Sequence, residues 1–537
     1  MTDAIVVGAG HNGLVAANDL ADAGWEVLVL EATSEPGGAV RSAELTLPGY
    51  VHDVFSAFYP LGVASPVLRR LDLERHGVRW RRAPLVVAHP TDAGSALLST
   101  DLDETAASLD GFAKGDGDTW RELYRQWEDV GDDILHALFR PFPPIVPAGK
   151  IALRLRRDLV RFARFALLPV RTLSDERFEG EGGGLLLGGN ALHSDLGPES
   201  VLSGFFGWLL ASLGQQLGFP VPEGGAANLT RALVRRLEKR GGRIVCNMPV
   251  KKVIVRDGRA VGVETADGTE IEARRAVLAD VPAPSLFLDL VGAEHLPRRV
   301  AEDVSRFQWD HATIKVDWAL SEPIPWRDEA VRRAGTVHVS RSFDHLTDVS
   351  ADLAVGRVPR HPFLVMGQLA AADPTRSPAG TETAWAYIHV PRRVRPTGSD
   401  DVQGTWDERD RDEIVRRIEG EIEHQAPGFR DAIAARHVML PTDFPTRNPS
   451  LVGGAVNGGT AQLYQQLIFR PTPGLARPET PIKRLYLASS SAHPGGGVHG
   501  APGANAARAA LLWSDARRKT LAAAALAGAV AVAARRR

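Results

Sequence analysis

The tightest constraint on this chain lies at its start, where the apolar run Ala4-Ile5-Val6-Val7 feeds straight into Gly8-Ala9-Gly10-His11-Asn12-Gly13. An apolar-periodic helix through Leu14, Ala17 and Leu20 follows. Gly24 stops it, and residues 26–31 read as a second buried strand ending on Glu31. This is a complete βαβ unit. Gly8 permits the tight strand-to-helix turn and Gly10 lets the backbone approach a pyrophosphate. Gly13 lets the helix pack close to the strand, so phosphates sit at the positive helix N-terminus. Glu31 stands where a ribose 2′-hydroxyl needs an acceptor and where a 2′-phosphate would be repelled. A glycine triplet alone means little in a chain with 53 glycines. The flanking strand, helix, second strand and terminal acid carry the reading.

Gly37-Gly38 and then Arg41 follow the second strand. Paired glycines free backbone amides, and a guanidinium beside them makes a second clamp on the same pyrophosphate. The arrangement resembles the FAD site of the amine oxidase and phytoene desaturase flavoproteins, and it favours FAD over NAD.

With 537 residues the chain can bury a large core, and length alone suggests about two to four domains. Basic and acidic residues nearly balance, 63 against 65, so there is no basic excess pointing to nucleic acid. Cys246 is the one cysteine. Dithiol redox chemistry, a disulfide framework and a zinc cluster within one chain are therefore excluded. The N-terminus lacks a basic region followed by a long apolar segment, so a cytoplasmic location is the expectation.

The fold class expected is α/β: a discontinuous Rossmann-like FAD-binding domain with an inserted α+β substrate domain. The FAD-binding parts fall at 1–75, 218–290 and 448–515, the substrate parts at 76–217 and 291–447, and a basic and apolar tail at 516–537. Within the first lobe, Asp53 and Ser56 are within reach of a flavin edge, though a turn cap is the plainer role for them. Helical spacing puts Trp120, Tyr124 and Trp127 in the core. Residues 150–168 read as one basic amphipathic helix, with Arg154, Arg157, Arg161 and Arg164 opposite Leu155, Leu159, Phe162 and Ala166. Such a helix fits an anionic membrane surface or a solvated protein face equally well. The glycines of residues 181–189 read as a bend in a cavity wall. His193 reads as a core histidine ahead of a pocket residue. Asp257-Gly258 and Asp267-Gly268 mark hairpins of a β-meander beginning near Val250.

The second strong motif is late. Residues 484–488 form a strand, His493-Pro494-Gly495-Gly496-Gly497 a glycine-rich turn, and a helix runs from about Gly503 to Leu512. Strand, bare amides and helix N-terminus again come in the order an anionic or electron-rich ligand needs.

Together, Gly8 to Gly13, Glu31 with Gly37-Gly38 and Arg41, Pro222 to Gly225, Val250 and the turn at Gly495-Gly496-Gly497 resemble the phytoene desaturase and carotenoid isomerase-like flavoproteins. Asn190 to Asp195 and the stretch from Gly453-Gly454 to Arg470-Pro471 look similar to the pyridine nucleotide-disulfide oxidoreductase domain-containing protein 2 branch. The resemblance spans residue 3 to about 513. It implies FAD, a redox fold, adenine contact by the backbone of Val250, and a late helix facing the flavin pyrimidine. Ser489-Ser490-Ser491 stand where the family tends to carry glycine, and no acid or base is carried over.

With a single dinucleotide fingerprint, electrons are expected to enter from substrate and leave to a quinone, oxygen or another carrier. The function expected is an FAD-dependent dehydrogenase or desaturase moving hydride from an apolar lipid or polyene to flavin N5. A flavin amine oxidase would call for paired tyrosines, with Tyr464 and Tyr486 the late candidates. A catalytically quiet FAD-binding regulator acting through a protein partner is the third reading. The tail, Leu521 to Ala534 between basic clusters, is too short to span a bilayer and fits an interfacial anchor or a weak alanine helix.

Overall fold

The computed structural model describes residues 2–398 and 401–514; the tail beyond lies outside the described residues. Two seven-stranded sheets organise the chain. In the first, Thr2–Val7 lies between Val27–Leu30 and Glu270–Ala279, with Arg243–Val245 and Leu485–Leu487 flanking them, all in parallel. Thr2–Val7 and Val27–Leu30 are buried at every position, as continuous apolar runs covered on both faces must be.

Glu270–Ala279 does two jobs. Its first residues alternate in exposure and pair antiparallel with Arg259–Thr265. Its last four are buried and pair in parallel with Thr2–Val7. The strand thereby welds the meander Val250–Arg256 and Arg259–Thr265 to the parallel core. Asp257 and Gly258 both take positive φ, 51° and 68°, the backbone a tight hairpin of this twist requires.

The second sheet runs in the order Ile433–Met439, Ala312–Leu320, Glu382–Val390, Leu364–Gln368, Ala334–Val339, Leu85–Thr91 and Gly94–Leu98. Ala334–Val339 and Leu85–Thr91 are its parallel pair. A Rossmann-like parallel-sheet domain with an inserted α+β layer is therefore what the chain forms. Asp53 is fully buried at their junction. It meets the equally buried Arg376 at 3.0 Å and accepts from Ser42 Oγ and the Ala226 amide. This sets it apart from the cavity and makes it a bond between segments rather than a group at the flavin edge.

Two sequence expectations are corrected. Residues 181–189 are not a bend: Glu181–Ala191 is a buried α-helix. Glycine is a poor helix former, but here its missing Cβ is the point. A Cβ on Gly183 would fall 2.6 Å from the Phe178 ring, one on Gly189 2.2 Å from His338 Nδ1. Helix-breaking composition gives way to close packing. The basic helix is also not continuous. It divides into Ile145–Leu155 and Leu159–Leu167, broken where Arg156 adopts a φ of 43°. Among the described residues no helix is long and apolar enough to cross a membrane.

Candidate functional site

A cavity of about 570 Å³ lies between the two sheets. On the side of the first sheet its wall is built by the opening turn. Gly8, with φ 94°, turns the chain out of the strand, and Gly8 and Gly10 face the space directly. Gly13 does not line it; its Cβ would strike the Gly8 carbonyl at 2.2 Å, so it serves helix-on-strand packing.

Glu31 is fixed from three directions. Oε2 accepts from the Ala9 amide at 2.8 Å, and Oε1 accepts from the Thr33 amide and hydroxyl. The Gly37 amide donates to the Ala9 carbonyl, drawing the second glycine pair against the first. Gly38 lines the cavity, as does Val250. Arg41 sits behind them, donating to the carbonyls of Gly38 and Arg447.

The late turn meets the early one. His11 Nε2 lies 3.2 Å from the Gly497 carbonyl, and a Cβ on Gly503 would fall 1.9 Å from the Asn12 carbonyl. The helix over residues 501–514 therefore packs directly on the first one. Gly497 lines the cavity. Gly495 rests on the Arg470 guanidinium and Gly496 on Asn457, both one layer back.

Arg470 organises that layer. Fully buried, it donates to the carbonyls of Asn457, Gly458, Thr460 and Ser490. Burial draws its guanidinium down to about 10, against the pull of Asp310 and Asp195. Asp310 in turn accepts from the amides of Val456, Asn457 and Gly459. The loop so held, with Ser489-Ser490-Ser491, forms cavity wall.

The residues present fit a dinucleotide. Asn12 Oδ1 and Asn457 Nδ2 are buried without a hydrogen-bond partner among the described residues, and both residues line the cavity. Buried polar atoms left so are satisfied by something else.

The second sheet supplies the opposite wall, including Thr313, Lys315, Thr336, Val365, Trp385 and Tyr387. Lys315 is ion-paired with Asp317. Burial alone would raise the Asp317 carboxyl; Lys315, His437 and His52 overcome it and hold the group well below the usual carboxylate range. Trp385 and Tyr387 stack on one strand face, centroids 6.0 Å apart and planes 6° from parallel. His193 is a wall residue rather than core, its Nε2 2.7 Å from His338 Nε2. Burial and nearby His389 lower it to about 4, so the pair is neutral. Asn190 is core, donating to the Leu186 carbonyl.

Sequence reasoning missed Lys315, Trp385 and Tyr387 as site residues. The available signal was period two: Thr313, Lys315 and Asp317 put polar groups on one face of an otherwise apolar buried strand.

A parallel sheet with a glycine-lined turn at its C-terminal edge, a fixed acid on the next strand and a second sheet closing the far wall defines a dinucleotide-binding flavoprotein. The chain belongs to the family of flavin-containing amine oxidoreductases, which it matches over residues 13–511, and its cofactor is FAD. It is 28% identical to the pyridine nucleotide-disulfide oxidoreductase domain-containing protein 2 of Mus musculus, over 94% of this chain and 92% of that one. It is 24% identical to the neurosporene-forming phytoene desaturase of Cereibacter sphaeroides, over 93% and 92%. An oxidoreductase from Methanosarcina mazei shares the fold, with a TM-score of 0.63 at 16% identity over 95% of this chain and 99% of that one.

Proposed function

We propose that this FAD-dependent oxidoreductase is a dehydrogenase of the desaturase type acting on an apolar, extended substrate. The observation that carries the reading is the apolar surface that Phe58, Val365 and Trp385 present to the cavity, with Phe55 and Phe444 lining it beside Arg41, while Lys315, which lines it too, is spent on Asp317. The desaturase relative, named for phytoene, supports it.

Gly8, Gly10, Gly38, Glu31 and Val250 would hold the nucleotide half of FAD, and Gly497 with Ser489 to Ser491 the flavin half. When bound, FAD supplies a hydride acceptor. The chain's own contribution is orientation and exclusion of water: the aromatic wall positions the substrate, and His193 and His338, both drawn below the usual imidazole range by burial, add no positive charge to the cavity.

The amine oxidase reading is weaker. Tyr464 is largely exposed and Tyr486 is a strand residue, and neither lines the cavity. Of the rings that do line it, Trp385 and Tyr387 lie nearly parallel side by side on one strand face instead of opposing one another across a ligand.

A membrane source for the substrate is part of the proposal. Ile145, Val146, Leu153 and Val160 are at least 63% exposed on the two helices that carry Arg154, Arg161 and Arg164, with Arg157 in the break between them, a pairing suited to anionic lipid. An electron acceptor such as a quinone or oxygen completes the cycle. The test is anaerobic mixing of the holoprotein with carotenoid precursors, other terpenoids, lipids and simple amines. Bleaching of the oxidised flavin band by an apolar compound supports the reading; bleaching by amines alone refutes it.

A further inference from the structure

A diphosphate is an anion, yet three acids, Glu31, Asp280 and Asp289, line the cavity, and Asp280 stands at the glycine turn itself. Among the described residues no acids are grouped to hold a metal ion that would neutralise them. Asp280 is the most intrusive. It directly follows Glu270–Ala279 and reaches under the opening turn, where Oδ2 accepts from the Gly13 amide at 2.8 Å. That same oxygen lies 2.5 Å from where a Cβ on Gly10 would stand. It thus takes up one of the helix N-terminal amides on which a phosphate would ordinarily rest. Its Oδ1 makes no hydrogen bond among the described residues.

We infer that Asp280 is a ligand of FAD in its neutral, protonated form: one oxygen keeps the Gly13 amide while the other carries a proton toward the diphosphate. FAD binding then takes up one proton. An ionised Asp280 would set carboxylate against phosphate in a part-buried site, where water screens the Coulomb repulsion poorly. The free protein is already poised for this. Burial, and then the charge of Glu31, push the Asp280 carboxyl up to about 7, with the Gly13 amide opposing.

The surrounding charged groups do not provide the proton. His11, from the adjoining helix, is drawn by burial to about 4 and keeps its Nε2 on the Gly497 carbonyl. Glu31 is committed to Ala9 and Thr33. Arg41 stands behind Gly38, Lys315 is paired across the cavity, and Asp289 lines the wall from the segment Ser285–Val291.

The inference rests on the FAD site proposed above, and its test separates the two. The full-length protein is freed of flavin, and its FAD affinity is measured by calorimetry from pH 6 to 9 in buffers of differing ionisation enthalpy. Affinity should be flat below about pH 7 and fall about tenfold per pH unit above it, with close to one proton taken up per FAD near pH 8. D280N, whose amide can donate without a proton, should remove both the uptake and the slope and bind FAD more tightly than wild type at pH 9. FAD binding with no proton uptake in the wild type overturns the inference and leaves the site standing. Uptake retained in D280N overturns it by placing the proton elsewhere. Failure to bind FAD at any pH sinks the site reading and the inference together.

Discussion

Lys315 shows how much of this site turns on single side chains. It is almost completely buried, its partner Asp317 entirely so, and His52 and His437 approach that carboxylate from other sides. Removing one member of a buried pair strands the other without water or counter-charge, at a cost of about 3–5 kcal/mol, whereas replacing both with apolar groups is often close to neutral. K315M should therefore lower unfolding free energy by an amount in that range, and K315M/D317V should recover most of it. Urea denaturation of the four-member cycle measures the coupling. A K315M protein as stable as wild type would mean that the histidines alone hold Asp317. The partner Asp317 lies two residues along the same strand face, so the period-two polar pattern was readable; what the sequence did not reveal is that this face is buried against the cavity, with His52 and His437 brought to Asp317 from remote segments. That Asp53 bonds two segments, where sequence offered a turn cap or the flavin edge, stayed out of view because its partner Arg376 is remote in sequence.

At the scale of elements, what the sequence revealed depended on whether local rules decided the outcome. The opening βαβ unit was legible because continuous apolar strands, turn glycines and helix periodicity agree there. The meander was legible from its Asp-Gly turns. The helix Glu181–Ala191 was not, since its glycines argue against helix locally and only the packing partners, remote in sequence, explain them. Its neighbour Ser203–Leu217 crosses it so closely that a Cβ on Gly207 would lie 2.2 Å from the Leu187 carbonyl. Backbone cannot yield as a flexible side chain can. In an exposed helix G207A would stabilise by about 1 kcal/mol through propensity; here it should destabilise, by about 1–3 kcal/mol, through overpacking. Thermal unfolding gives the sign. The break at Arg156 was equally invisible, because the heptad-like alternation of arginine and apolar residues continues across it.

At the scale of the whole molecule, the arrangement depends on the chain returning to its own beginning. The last strand, Leu485–Leu487, joins the sheet of the first through Glu270–Ala279, and the closing helix lies against the opening one at Gly503 and Asn12. Two turns far apart in sequence, one at Gly10 and one at Gly497, so come to line a single cavity. Sequence reading found both turns and their shared chemistry. The contents of the opposite wall came only with the second sheet, whose strands are drawn from four separate stretches of chain. The measurement that bears most directly on this convergence is flavin retention in two variants. A Cβ at position 10 would collide with Asp280, and Gly497, at φ 105°, holds a conformation that a side chain strains. G10A and G497A should each weaken FAD binding at least tenfold while remaining folded by circular dichroism. A G497A protein that holds FAD as tightly as wild type, beside a G10A protein that loses it, would show that the late turn stands apart from the cofactor.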